Sequence, residues 1–346
     1  MSASVSATAL DRPVRRLFAP PAVYPLVLRK WGNSGLVEMV FDVDESGHAG
    51  NIEVLASPHP AFEQAAVDNV LRSRYQPALK NGLPVRSRVG QPVHFTLTRP
   101  SSVNQVEDEG MAPFDFPSKG DSTSPPEFQY DKPPGIKLMA PLVYPLAQLR
   151  EGVFGWAQLL VIVDPAGRVD AVKVLSASDP AFGVAASAAW SSTSFYPATK
   201  AGQPCWAAFK YRQEFDRFDR EAPQWKDIGR LLDGMRQTSG QGPYTLRALD
   251  GMPRALYSPA PVYPTGQMQR QGVHGEVKIE FYIDKEGKAL LPRVLKADDE
   301  WLGAMAATSV LRWRFEPPRV KGEAVDALVT MPFRFEPVPT SSAPSN

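Results

Sequence analysis

The sequence predicts an α+β protein made of three tandem two-layer modules, each a three-stranded antiparallel sheet with two helices on one face (α-β-β-α-β). Three observations predict this fold. A set of residues recurs at an offset of 120 along the 346-residue chain. Each copy contains stretches in which apolar and polar residues alternate, as in a half-buried strand. Each also has an apolar stripe at helical spacing. The recurring positions are Gly35, Gly155, Gly275; Asp44, Asp164, Asp284; Gly47, Gly167, Gly287; Pro77, Pro197, Pro317; Phe95, Phe215 and Phe335.

A period of this length indicates separate small domains, because one copy is long enough to build a core of its own. We predict module 1 at 17–99, module 2 at 136–218 and module 3 at 255–337. The segment 100–135 lacks apolar periodicity and is predicted to be a flexible linker. The segment 219–254 is predicted to be a linker with a short amphipathic helix, because apolar residues recur at helical spacing over 223–236.

The elements of a module follow in a fixed order. A Tyr-Pro pair precedes a short helix, which covers 26–31 in module 1. The first strand alternates, as in Val277, Ile279, Phe281 and Ile283 of module 3. An Asp-x-x-Gly turn then closes a hairpin, because Asp can bond its own backbone and Gly allows a positive φ.

The second helix and the last strand complete the module. In module 2 the pair Asp179-Pro180 predicts the start of the helix, with Asp as the N-cap. The last strands are predicted over 89–97, 207–215 and 327–335.

Composition excludes several functional classes. The net charge of +1 does not suit a nucleic-acid-binding protein, which needs a clustered basic face. The short run Arg12, Arg15 and Arg16 is interpreted as a solvated flank. A single cysteine, Cys205, allows no internal disulfide. No stretch has the roughly 20 apolar residues of a membrane helix, and no signal peptide is visible.

We find no catalytic constellation, cofactor motif or metal-ligand spacing. None of the four histidines lies near the cysteine in the sequence, and none is at the spacing of zinc ligands. The repeated aspartates Asp44, Asp164 and Asp284 are explained by their turns. We therefore predict a protein that is not an enzyme, with no catalytic residue, no cofactor and no metal.

The ordered motifs resemble the TonB C-terminal domain family. Module 3 carries them most completely, as Tyr263-Pro264, the strand from Gly275 to Asp284, and the run Trp313-Arg314-Phe315-Glu316-Pro317. Module 1 is close, whereas module 2 is degenerate, with Thr193-Ser194-Phe195-Tyr196-Pro197 in the last motif. The three copies cover about 250 residues.

The resemblance implies a bacterial envelope protein that faces the periplasm and binds a short receptor segment as an added strand. We predict a periplasmic binding or scaffold protein of this type. Its predicted partners are proteins, either outer-membrane receptors or other envelope proteins, with no nucleic acid and no direct membrane insertion. Two alternatives stay open: an energy transducer for outer-membrane transport, anchored in the inner membrane by a segment absent from this chain, and an envelope accessory scaffold. The oligomeric state also stays open.

The last strand of each module is predicted to be a sheet edge, because Pro92 and Pro332 occupy equivalent places in it. Module 2 has Arg212 there, so its edge is the least protected against pairing. We therefore predict that a partner adds to this strand, or that a neighbouring copy pairs with it. The candidate partner-binding residues are Tyr24, Tyr144, Tyr263, Phe209, Tyr211, Arg212 and Gln213.

The first strand of module 2 is apolar on both faces. Its outward residues Trp156, Leu160 and Ile162 replace the largely charged set of module 3. We predict that this second face is a packing interface, covered by another module, the 223–236 segment or a second chain.

Overall fold

Three sheet modules make up the described part of the protein. The structure is a computed structural model and describes residues 10–25, 28, 33–96, 125–215, 243–262 and 265–336. The predicted helix at 223–236, most of the predicted helix at 26–31, and Tyr263 lie outside these residues. We keep the names module 1, module 2 and module 3 for the three copies.

Module 1 contains a three-stranded antiparallel sheet in the order β3-β2-β7. Helix α1 lies on the face where Val37, Met39 and Phe41 are buried. Phe62 of α1 is almost fully buried there, which contributes about 1.5–3 kcal/mol. The elements are β1 (Arg15–Phe18), β2 (Gly35–Val43), β3 (Ala49–Ala56), α1 (Pro60–Arg72), β4 (Arg74–Gln76), β5 (Ala78–Lys80), β6 (Leu83–Val85) and β7 (Ser87–Phe95).

Module 2 repeats this plan with the sheet order β10-β9-β14. Asp179 caps its second helix as predicted, because its carboxylate accepts the N–H of Ala181 at 2.8 Å. The elements are β8 (Gly135–Leu138), α2 (Leu146–Glu151), β9 (Gly155–Val163), β10 (Val169–Ala177), α3 (Pro180–Ser191), β11 (Ser194–Tyr196), β12 (Ala198–Lys200), β13 (Gln203–Cys205) and β14 (Ala207–Phe215).

Module 3 has a four-stranded sheet, β15-β22-β17-β18, because a two-residue strand from the preceding segment is added to it. The elements are β15 (Tyr244–Thr245), β16 (Ala255–Tyr257), α4 (Gly266–Arg270), β17 (Gly275–Ile283), β18 (Ala289–Ala297), α5 (Glu300–Val310), β19 (Arg314–Phe315), β20 (Arg319–Val320), β21 (Glu323–Ala324) and β22 (Ala327–Phe335).

The repeated hairpin glycine is fixed by a close backbone contact. At Gly167, φ is +78° and an added Cβ would lie 1.9 Å from the carbonyl oxygen of Phe195. The Gly167 carbonyl accepts the N–H of Phe195 at 2.7 Å, which attaches the strand after the helix to the turn. Asp164 accepts the N–H groups of Ala166 and Arg168 at 2.9 Å, the turn role predicted for it.

An aspartate that precedes the predicted start of each module is hydrogen-bonded to that module. Asp11, Asp131 and Asp250 accept backbone N–H groups from the hairpin that follows the second helix of their own module, at 2.7–2.8 Å. Hydrogen bonds from Gly322 and Lys321 lower the pKa of Asp250. Tyr130 is also buried against module 2. The described end of the predicted flexible linker, 125–135, is therefore packed on module 2.

Module 1 contacts module 3 through a buried ionic cluster. Arg312 donates to the carboxylate of Glu63 at 2.8 Å, and the Tyr257 hydroxyl donates to the same oxygen at 2.7 Å. The side chains of Arg312 and Glu63 are only 10% and 2% exposed. Burial alone would lower the pKa of Arg312, but the charge of Glu63 outweighs it and the pKa is raised. Removing one partner of such a pair costs about 3–5 kcal/mol, because the other charge stays buried.

Module 2 contacts both of its neighbours. Ser57 of module 1 bridges to the strand β8, donating to the Lys137 carbonyl at 2.8 Å. Helix α3 packs against α5 of module 3. Helix α2 places Leu149 against Tyr282 of module 3, which is 7% exposed. Tyr282 lies on the outer face of the module 3 sheet, and α2 covers it there.

Candidate partner-binding site

The last strands of modules 1 and 2 are sheet edges in the described structure. Strands β7 and β14 each pair only with the first strand of their module. Strand β22 differs, because β15 pairs with it in parallel, and the Tyr244 N–H donates to the Asp326 carbonyl at 2.9 Å. The prediction of an edge is thus confirmed for β7 and β14, whereas one end of β22 is already covered.

The direction of the backbone groups on β14 follows from its neighbour β9. The Trp156 backbone faces β10, because its carbonyl accepts the N–H of Ser178 at 3.0 Å and its N–H donates to the Ser178 hydroxyl at 2.9 Å. Alternate residues of a strand bond to opposite neighbours, so the odd-numbered residues of β9 bond to β14. The register pairs Leu159 with Tyr211 and Ala157 with Gln213. The outward N–H and C=O groups of β14 therefore belong to Ala208, Lys210, Arg212 and Glu214.

The equivalent outward position is a proline in the other two modules. Pro92 pairs with Glu38, Pro332 with Lys278, and Arg212 with Gln158, all at the same register. A proline removes one outward donor from β7 and from β22. Strand β14 therefore presents an uninterrupted row of outward donors, which an extended chain needs in order to pair with it.

Three of the predicted site residues support β14 from the helix side. Phe209 is 3% exposed and packs edge-on against Trp190 of α3. The Tyr211 ring lies 4.4 Å from Trp190, and burial raises the pKa of its hydroxyl to about 12. The Gln213 amide oxygen accepts the indole N–H of Trp190 at 3.1 Å. These contacts attach the helix-facing side of the strand to α3, and the Gln213 amide nitrogen also donates to the Glu214 carbonyl at 3.0 Å.

Arg212 lies on the opposite face of the sheet. Its guanidinium is 4.0 Å from the Trp156 ring centroid, within the range of a cation–π contact, and its Nε donates to Glu214 at 2.5 Å. The predicted interface residues Trp156, Leu160 and Ile162 are all half-buried on this face. The register places Leu160 between Lys173 and Lys210. The outer face of module 2 is thus apolar in the middle with cations beside it.

The Tyr-Pro tyrosines are placed as packing anchors. The Tyr24 ring packs edge-on against Phe62 and Phe95, with both centroids at 5.7 Å. Its hydroxyl donates to the Asn33 carbonyl. Tyr144 repeats this with Phe182, Phe215 and the Val153 carbonyl. Each ring therefore joins the second helix to the last strand of its module, away from the outward backbone of that strand.

Sequence reasoning missed the aspartates that precede each module. Asp11, Asp131 and Asp250 recur at offsets of 120 and 119, each followed within three residues by a proline. That spacing was the signal that could have found them. In the part of the chain that the structure describes, no group of three or more His, Cys, Asp or Glu side chains is placed to hold a metal ion. Among the described helices, none has the length and apolar character to cross a bilayer.

Comparison with known families finds one family model, "Gram-negative bacterial TonB protein C-terminal", which matches at 20–97, 140–216 and 259–337. These matches cover more than half of the chain. Comparison with curated proteins finds no match.

Two solved structures are similar to single modules. The Pseudomonas aeruginosa TonB C-terminal domain, determined by solution NMR, is 24% identical over 26% of this chain and 92% of that chain, with a TM-score of 0.24. The TonB2 protein from Vibrio anguillarum is 31% identical over 24% of this chain and 80% of that chain, with a TM-score of 0.19.

The family is a protein-binding family of the Gram-negative envelope with a role in transport, and its domains are interaction domains without enzymatic activity. The three matches fall on the three sheet modules described above. The chain therefore belongs to the family of TonB C-terminal domains and carries three copies of the domain.

Proposed function

We propose that this chain is a non-enzymatic periplasmic binding protein that takes up an extended segment of a partner protein as an added strand on β14. The observation that carries the proposal is the uninterrupted outward backbone of β14, at the position where β7 and β22 have a proline. Main-chain hydrogen bonds would supply affinity, and side chains beside the edge would supply selectivity. The partners that fit are outer-membrane receptors or other envelope proteins with an exposed extended segment.

The chain itself contains one example of such pairing. Tyr244 and Thr245 add to β22 in parallel next to Ala327 and Leu328. An edge of this module type thus accepts a further strand without a change in its own register. On β14 the partner would run beside Lys210 and Arg212, which are both exposed. Acidic or amide side chains in the bound segment would complement these two cations.

A proline substitution at the distinguishing position tests the proposal. The full chain and its Arg212→Pro variant are used to capture proteins from a Gram-negative envelope extract. We expect the variant to fold, because Pro92 and Pro332 occupy this position in the same fold. We also expect capture to fall at least about tenfold, because one outward donor is lost and the proline ring obstructs pairing.

The matched control is Arg212→Ala, which removes the guanidinium but keeps the N–H. Strand addition requires that this control keep most of its capture. If both variants lose capture equally, the side chain and not the edge binds the partner. If Arg212→Pro captures the same proteins as the full chain, β14 is not the binding edge and the proposal is wrong.

A further inference from the structure

Each module has an equivalent surface at the end of its second helix. In modules 2 and 3 this surface packs against module 1. We define this post-helix surface by one residue of the strand that precedes the Tyr-Pro pair and by two residues at or just after the end of the second helix. The strand registers match Phe18 with Arg74, Leu138 with Ser194 and Tyr257 with Arg314. The three surfaces are therefore Phe18, Arg72 and Arg74; Leu138, Ser192 and Ser194; and Tyr257, Arg312 and Arg314.

The module 3 surface shows what two arginines at these positions can bind. Arg312 and Tyr257 hold Glu63, and Arg314 donates its Nε to Asp68 at 3.0 Å. Glu63 and Asp68 both lie on helix α1 of module 1. In module 2 the two arginines are serines, and Leu138 packs beside the core of module 1 instead. A post-helix surface with two arginines thus receives an acidic helix.

The module 1 surface has the same two arginines but is exposed. Arg72 and Arg74 are exposed, and Phe18 is 59% exposed. Within the described ranges, neither arginine forms an ion pair; the Arg72 Nε donates to the Asp68 carbonyl and the Arg74 Nη1 donates to the Ser73 carbonyl. By contrast, Arg312 and Arg314 are 9% and 4% exposed. Module 1 therefore presents a surface whose counterparts are both covered.

Arg74 is already oriented as Arg314 is. Its Nη1 donates to the carbonyl of the preceding residue, Ser73, at 3.0 Å. Arg314 makes the same bond to Trp313 at 2.9 Å and uses its Nε for the carboxylate. The Nε of Arg74 can therefore donate in the same way to a carboxylate of another molecule. Because the Arg74 guanidinium is already held in place, binding costs less side-chain conformational entropy.

We propose that Phe18, Arg72 and Arg74 form a docking site for an acidic helix of a partner protein. Within the described residues, α1 of a second copy does not supply that helix, because α1 is covered by module 3 and Glu63 is 1% exposed. Helix α3 carries no acidic residue. Arg12, Arg15 and Arg16 are exposed nearby and add to the attraction for an acidic surface. The proposal is independent of strand addition on β14.

The probe is a stapled helical peptide with the sequence of α1, residues 60–72, which carries Glu63 and Asp68. Its binding to the full chain is measured by fluorescence anisotropy. The α1 helix of the chain itself remains bound to Arg312 and Arg314 when the peptide is added, because intramolecular binding has an effective concentration of about millimolar. We expect the peptide to bind, and we expect Arg72→Glu/Arg74→Glu to weaken binding by at least about tenfold. The peptide with Glu63→Gln and Asp68→Asn should lose binding to a similar extent.

The matched control is Arg15→Glu/Arg16→Glu, which changes the net charge by the same amount but leaves the docking site intact. A smaller loss in this control supports the proposal, and an equal loss in both variants overturns it. A peptide with Glu63→Arg and Asp68→Arg should recover binding to the Arg72→Glu/Arg74→Glu chain. Absence of binding to the full chain at ~1 mM peptide overturns the proposal.

Vesicles of equal parts phosphatidylcholine and phosphatidylglycerol test the other anionic partner. If the full chain binds these vesicles through Arg72 and Arg74 but does not bind the peptide, the surface binds lipid. That result also overturns the proposal. The Arg212→Pro variant changes the edge of β14 and leaves the docking site of module 1 intact. Its capture of proteins from envelope extract therefore tests strand addition separately from the docking site.

Discussion

Strands β14 and β22 have the same length and the same register on their first strands, yet they present different edges. Both run for nine residues from an alanine to a phenylalanine and pair along their whole length. They differ at Arg212 against Pro332, and in the strand β15 that covers one end of β22. The comparison teaches that the fold does not decide which edge is open. The proline and a short piece of neighbouring chain distinguish the two edges.

The largest expected effect tests the turn that modules 2 and 3 share. Gly167→Ala and Gly287→Ala should each destabilise the protein by at least about 3 kcal/mol, because φ is positive and Cβ would lie 1.9 and 2.0 Å from a carbonyl oxygen. Urea denaturation followed by circular dichroism measures the change. Similar losses for both variants show that the modules depend on the same turn.

Gly202→Ala is the matched control. Gly202 also has a positive φ, of +77°, but an added Cβ would meet nothing within 4 Å. Its cost should be about 1 kcal/mol, from the backbone conformation alone. A cost equal to that of Gly167→Ala would contradict the account based on the carbonyl contact.

The second prediction extends the comparison to module 1 through its helix cap. His59 takes the place of Asp179 and Asp299, and its Nδ1 accepts the N–H of Ala61 at 3.1 Å. Burial lowers the pKa of His59 to about 4, from a usual value of 6.5. As the pH falls, His59 is therefore protonated at a higher pH in the unfolded chain than in the folded one. Stability from this group is complete above pH ~6.5 and is lost as the pH falls towards 4, by up to about 3 kcal/mol.

His59→Asn keeps a capping side chain but does not titrate. We expect this variant to lose most of the pH dependence of unfolding between pH 6.5 and 4, while its stability at pH 7.5 changes by about 1 kcal/mol or less. Urea midpoints measured across the pH range provide the check. If the variant and the native chain have parallel pH profiles, the dependence comes from another group.

The third prediction concerns the outer face that distinguishes module 2 from module 3. Leu160→Glu should lower stability by about 1–2 kcal/mol, because Leu160 is half-buried and its apolar cover would be lost. The sheet itself accepts a carboxylate here, since the equivalent Glu280 of module 3 pairs with Arg293 at 2.6 Å. Lys173 and Lys210 would flank the new carboxylate. A loss of stability in a thermal melt would therefore indicate that another surface covers Leu160.

Leu160→Met is the control, since it preserves an apolar side chain of similar volume and should cost less than about 1.5 kcal/mol. A neutral result for Leu160→Glu would show that the face is open to water. In that case the predicted packing interface of Trp156, Leu160 and Ile162 would be wrong.

Local pattern accounts for the elements that the sequence predicts well. The bounds of β14 and β22 follow from alternation and a terminal phenylalanine, and they match the prediction at 207–215 and 327–335. The start of α3 follows from the pair Asp179-Pro180. Both signals lie within a few residues of the element that they define, so no knowledge of the tertiary structure is needed.

Features that depend on distant residues escaped the sequence analysis. Strand β15 has two residues, too few to show a period. The pair of Glu63 and Arg312 joins residues that are 249 positions apart. Its only trace in the sequence is a departure from the repeat, because Gly183 and Gly303 stand where module 1 has Glu63. A departure from the repeat identifies a position with a different role, but it does not identify the residue that this position contacts.

The smallest expected effect comes from opening the edge of module 3. In the Arg212→Pro background, Pro332→Arg restores an outward N–H on β22, and Pro92→Arg does so on β7. Both changes are at exposed edges, so each should alter stability by no more than about 0.5 kcal/mol. We expect Pro92→Arg to recover more capture from envelope extract than Pro332→Arg, because β15 already occupies the Ala327–Leu328 end of β22. Equal recovery would mean that β15 leaves β22 as accessible as β7. No recovery in either variant would mean that selectivity for module 2 resides in its side chains, and that an open backbone is required but not sufficient for binding.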